Sequence, residues 1–268
     1  IKFGIIALFI VVGVFFVKTS NWQPYLPFGA QGVIGGAALV FFAFLGFDAI
    51  AMAAEEVVEP QKTVPRGMIG AIAISTVLYI IVTAILTGLV PYTKLGVNDP
   101  VAFAMRFLHL DLVGSIISIG AILTLLTVTI SMMYSLARLV YAISKDGLPP
   151  ISLNKVDTKT HTPVRATLVS GAVVFVFATM FPLQILAELT NIVALGYLIM
   201  MALGIIRLRQ VAGDPKPGEF KVPFVPILPL ITVGFCIFLM VQLSLTTWIV
   251  FFISLVIGLG IYFGYGYK

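Results

Sequence analysis

Charge is what this sequence has least of. Of its 268 residues only 10% are Asp, Glu, Lys or Arg, against 60% hydrophobic, and the mean hydropathy is +1.13. So few charges cannot cover the surface of a water-soluble domain, which excludes that class. Alternation is missing too. The apolar runs are about 20 residues long and unalternated, where a membrane barrel would show short segments of period two. What is left is an all-α polytopic membrane protein, because in lipid only helices and closed barrels satisfy their own backbone. Cysteine is reduced to Cys236, inside an apolar run, so there is no disulfide framework. The histidines His109 and His161 have no partners at metal-ligand spacing, and no metal is expected. Phosphate-cradling, dinucleotide, zinc-protease and nucleophile-elbow motifs are all lacking. Nothing positive supports an enzyme, and no cofactor is expected.

Eight apolar segments long enough to span can be placed, at 3–17, 33–54, 67–90, 112–142, 166–181, 184–207, 224–243 and 246–266. The chain opens at Ile1 within an apolar run that has neither a charged leader nor a small-residue cleavage site. It reads as a piece beginning partway along a membrane helix, not as a signal peptide. The net charge of +5 sorts by loop. Lys18, Lys94 and Arg106 follow odd segments, whereas twelve lysines and arginines, from Lys62 and Arg66 to Lys268, follow even ones. The positive-inside rule then places the even-side loops and the C-terminus in the cytoplasm. This accounts for the charge without invoking nucleic acid. In the 91–111 loop, Phe103, Phe107 and Leu110 recur at helical spacing behind Asn98-Asp99-Pro100, which predicts a short amphipathic helix on the outer face.

The second segment lies in LVFFAFLGFDAIAMAAEEVVEP, Leu39–Pro60. Gly46 and Asp48 stand near its middle. A carboxylate at mid-bilayer costs roughly 2.5–3.5 kcal/mol on insertion scales, and a glycine weakens a helix by about 1 kcal/mol relative to Ala. Two readings remain open on these residues: a discontinuous helix of the kind that builds transporter sites, or a continuous helix with a buried ion pair. Glu55, Glu56 and Glu59 crowd the end of this segment, where a helix dipole disfavours acids. They predict basic partners, from Arg66 or the Arg138–Lys145 region. Lys2 enters an otherwise uncharged run. It either snorkels to an interface or, if buried, exchanges a proton near physiological pH, because desolvation penalises the charged amine. Glu188 and Asn191 share a face of the sixth segment, and a gating or interfacial hydrogen bond is the reading they support.

The run FFAFLGFDAIAMAAEEVVEPQKTVPRGMIG resembles a signature of the amino acid–polyamine–organocation superfamily. So does SLARLVYAISKDGLPPISLNKVDTKTHTPVRA. The bacterial form of the cationic amino acid transporter branch fits best, over residues 1–268. The resemblance implies the LeuT-like inverted-repeat fold, with this chain supplying the C-terminal eight helices of a 12-helix bundle. It implies proton-coupled symport of L-amino acids, small neutral ones such as alanine, across a bacterial plasma membrane. In that frame Phe42 is an aromatic gate, Ala43 and Leu45 present carbonyls to the substrate ammonium, and Asp48 lies in or beside the side-chain pocket. Met132 lines the far wall, where its bulk disfavours long cationic side chains. Lys2 takes the place that a sodium ion holds in related transporters, facing Thr127 or else Ser131, so the proton is the coupling ion. The carboxylate-binding half of the site lies outside these residues. An exchanger or facilitator for cationic amino acids, a transporter-like sensor, and a small membrane or lipid partner all stay open.

Overall fold

The computed structural model describes residues 2–47, 57–145, 147, 155–157, 162–215 and 220–266. Among them there is no strand, and nine α-helices follow one another: α1 (Lys2–Gly13), α2 (Gly29–Val40), α3 (Pro60–Leu89), α4 (Pro100–Phe107), α5 (Asp111–Lys145), α6 (Val164–Met180), α7 (Leu183–Ala212), α8 (Ile227–Val241) and α9 (Leu245–Ile261). The helices α3, α5, α7 and α9, the last with the turn that follows it, are long and apolar enough to cross a membrane; α1, α2, α6 and α8 are shorter apolar helices. Each of the eight expected segments corresponds to one of these, and α4 is the additional short helix. The helices divide between two compact units.

One unit comprises residues 1–22, 84–186 and 249–268. In it α1 runs antiparallel to α5. Gly13, at the end of α1, lies against Met105 just ahead of α5, while Ile5 lies against Gly120 within α5. A Cβ added at Gly120 would stand 2.8 Å from Ile5 Cγ1, and one at Gly13 would stand 2.7 Å from Ile85 Cγ2. The glycines therefore set how closely α1 approaches its neighbours, as small residues do in membrane helix pairs. The end of α3 is capped by the chain after α1. The backbone N–H of Lys18 donates to the Gly88 carbonyl at 3.0 Å, and so does Asn21 Nδ2 at 2.7 Å. These bonds satisfy an orphan carbonyl of the last helical turn.

The helix α4 forms where it was expected. Ala102, Ala104 and Met105 are buried, whereas Phe107 is exposed, with the Lys94 ammonium 5.0 Å from its ring centroid. Small residues pack here because α5 passes close by, with Gly114 against Arg106 and the Ala102 carbonyl. Asp99 pairs with Arg106.

The other unit comprises residues 23–83 and 187–248 and holds α2, most of α3, most of α7, and α8. Its most enclosed element is α7, where Ala187, Glu188, Asn191, Ile192, Ala194 and Leu195 are all buried. At the basic end of α7, Asp214 pairs with both Arg209 and Lys221. The Lys221 ammonium, and after it Arg209, hold the exposed Asp214 carboxyl below its usual range. The expected acidic latch is corrected: Glu59 pairs with Lys62 at 3.2 Å, one helical turn away, and not with Arg66. Glu55 and Glu56 lie outside the described residues.

Candidate functional site

The helix α2 stops earlier than the sequence suggests. It ends at Val40, tightens into a 3-10 turn over Phe41–Phe44, and opens into extended backbone at Leu45 (φ −63°, ψ 147°). Gly46 follows at φ +111°, a conformation that residues with a Cβ rarely adopt. Breaking the helix frees main-chain groups that would otherwise be bonded internally. Leu45 N–H donates to the Phe42 carbonyl at 3.2 Å. The Ala43 carbonyl accepts from the Tyr79 hydroxyl of α3 at 2.7 Å, and the Tyr79 ring meets Phe44 edge-on at 5.2 Å. A cavity of about 250 Å³ lies at the break, lined by residues 43–47 and by Ala71, Ile72, Ser75 and Tyr79 of α3. Of the expected site residues, Phe42, Ala43 and Leu45 are thus gathered in one turn, with Phe42 exposed. Asp48 lies outside the described residues.

The two residues expected to carry the proton belong to the other unit, one on α1 and one on α5, and both are exposed. Lys2 opens α1 as an exposed residue, one turn before Ile5, which rests on Gly120. Thr127 lies two turns beyond Gly120 on the same face of α5, given 3.6 residues per turn. The antiparallel pairing therefore sends both residues toward the same end of the α1–α5 pair. Thr127 Oγ1 donates to the Leu123 carbonyl at 2.8 Å, leaving its oxygen lone pairs to accept. Ser131 Oγ donates to the Thr127 carbonyl at 3.0 Å. Met132 is an exposed residue of α5, also in this unit.

Two further side chains reach the broken end of α2, of which the sequence reading names only the second, as a hydrogen-bonding neighbour of Glu188. Tyr79 is one. The other is Asn191, fully buried on α7, whose Nδ2 donates to the carbonyls of Ala38 at 2.9 Å and Leu39 at 3.1 Å. One turn earlier, buried Glu188 receives Ser244 N–H at 3.0 Å, Ser244 Oγ at 2.6 Å and Thr247 Oγ1 at 2.6 Å. It thereby caps the start of α9 with a carboxylate. A polar residue within an apolar run marks a partner; it does not say which backbone it holds.

Among the described residues the chain is all-helical, with four helices long and apolar enough to cross a membrane and one apolar helix that breaks at Val40. The family model described as "Amino acid permease" matches residues 1–268, and the chain belongs to that family, one of membrane transporters and not of enzymes. It is 45% identical over its whole length to the methylthioribose transporter of Bacillus subtilis (strain 168), covering 58% of that protein. It is 42% identical to the branched-chain amino acid permease BcaP of the same organism, again covering 58%. Over 79% of the chain it is 30% identical to the vacuolar cationic amino acid transporter 2 of Arabidopsis thaliana, covering 34% of it. The chain thus spans 58% or less of the length of these relatives.

Proposed function

We propose that this chain is the greater part of a proton-coupled symporter for neutral L-amino acids, working by alternating access with a LeuT-like inverted-repeat fold. The observation that carries the reading is the break in α2. An apolar helix of a permease family stops at Val40 and gives way to a 3-10 turn over Phe41–Phe44 and extended backbone at Leu45. The end of a half-helix carries a partial negative charge, which suits the substrate ammonium, and transporter sites are commonly built on such interrupted helices. Phe42 covers the bound substrate and Ala43 and Leu45 receive its amine, with Asp48 at the pocket.

Met132 closes the side-chain end and selects small neutral substrates over long cationic ones. The branched-chain permease at 42% identity supports a neutral substrate. The cationic transporter at 30% favours the second reading, an exchanger or facilitator for cationic amino acids. For coupling, the Lys2 ammonium bridges α1 and α5 at Thr127 when protonated and releases them when it loses the proton. Useful coupling needs protonation to favour the substrate-competent state by a few kcal/mol. The protein resides in a bacterial plasma membrane with its C-terminus in the cytoplasm.

The test is uptake of radiolabelled L-alanine and L-leucine into proteoliposomes, with and without an imposed pH gradient. Gradient-driven accumulation is expected, with unlabelled neutral amino acids competing better than arginine or lysine. Equal flux with and without the gradient selects the facilitator, and binding without counterflow selects a sensor.

A further inference from the structure

We infer that Asn191 is the positioning residue of the broken helix: it fixes where α2 ends and so where the substrate-contact turn begins. The inference rests on the reading of Phe42, Ala43 and Leu45 given above. The last carbonyls of a helix run short of intrahelical partners; at the end of α2 the Phe41 N–H reaches the carbonyls of Ala37 and Leu39. Asn191 adds donors to Ala38 and Leu39, with both bonds made by one amide nitrogen. It does so from α7, with its own residue wholly shielded from solvent. Buried carbonyls without donors are costly, so a donor brought in from α7 favours ending α2 here.

The Asn191 Oδ1 is buried without a partner among the described residues. The donor end of the amide is spent on α2. Tyr79 holds the turn from its other side, at the Ala43 carbonyl. The turn is therefore fixed on both flanks by side chains that need not touch the substrate.

The experiment uses the whole permease in proteoliposomes, with radiolabelled L-leucine as probe. Asn191→Asp keeps the shape and removes the donor, Asn191→Leu keeps roughly the volume, and Phe42→Ala removes a proposed direct contact. Both Asn191 variants should raise KM about five- to tenfold, the worth of one or two hydrogen bonds, with Vmax changed far less. The double variant Phe42→Ala, Asn191→Leu should fall short of the product of the single effects, because both act on one turn. Hydrogen exchange over residues 38–45 should accelerate in Asn191→Asp while the other helices keep their protection.

If Phe42→Ala raises KM and both Asn191 variants leave it at the wild-type value, the positioning role is overturned while the site reading stands. If Phe42→Ala leaves KM unchanged, the site reading fails, and exchange decides separately: faster exchange confined to 38–45 upholds the positioning of the turn, and unchanged exchange overturns it. Loss of folded protein in every Asn191 variant assigns the residue to folding alone and also overturns the inference.

Discussion

The hydroxyl of Tyr79 donates to the carbonyl of Ala43 at 2.7 Å, across from α3 to the broken end of α2. A carbonyl has two lone pairs, so Ala43 keeps one for a second donor, in the proposed reading the substrate amine, while Tyr79 fixes the direction in which it points. Tyr79→Phe removes only the hydroxyl. It should raise KM for a neutral amino acid about three- to tenfold, one hydrogen bond's worth, at normal expression. An unchanged KM would show that the Ala43 carbonyl is not a substrate contact.

Gly46 sits at φ +111°, and an added Cβ there would meet nothing within 4 Å among the described residues. The backbone angle alone makes Gly46→Ala cost about 1–3 kcal/mol. Uptake should fall sharply in a protein that still inserts and purifies. A variant with wild-type uptake would mean that the break does not need this backbone angle.

Lys2→Ala should leave substrate binding measurable but uncouple it from protons. Uptake would then be the same with and without the pH gradient and would run down the substrate gradient only. Gradient-driven accumulation in Lys2→Ala would move the coupling role to another residue. Thr127→Val, which removes the hydroxyl at nearly constant volume, should weaken coupling less, because the Thr127 backbone carbonyl remains.

Met132→Ser should enlarge the side-chain end of the pocket and raise the rank of longer and more basic amino acids in a competition panel against L-alanine. Were wild type and variant to give the same order, Met132 would have no part in selection.

Glu188 receives three donors from Ser244 and Thr247, and Thr247 is fully buried. Removing the carboxylate with Glu188→Leu strands these donors. It should lower stability by about 1–3 kcal/mol, seen as a fall of roughly 2–6 °C in unfolding temperature in detergent. Glu188→Gln, which keeps an acceptor, should fall less. Equal unfolding temperatures for wild type and Glu188→Leu would remove the carboxylate cap from the account of the fold.

The spans were legible because their signal is local: an apolar run of bilayer length is a helix in lipid whatever surrounds it. The break was half legible. Gly46 and Asp48 leave an interrupted and a continuous second segment both open, and Phe41–Phe44 is wholly apolar and carries no mark of the place where the helix ends. That place is set by Asn191, 153 positions away, and a side chain bonding to distant backbone leaves no trace in the sequence of the backbone it holds. The partner of Glu59 was misassigned because the long-range alternatives overshadowed Lys62, three residues on.

The 3-10 turn at the end of α2 offers main-chain carbonyls, and a carbonyl accepts from an ammonium or from a hydroxyl alike. A receptor made of backbone cannot be lost by substitution, nor does it commit its owner to one chemical family. Two bacterial proteins at 45% and 42% identity to this chain are named for a thiosugar and for branched-chain amino acids. In the proposed reading, such a difference in cargo requires only different side chains around a main-chain acceptor.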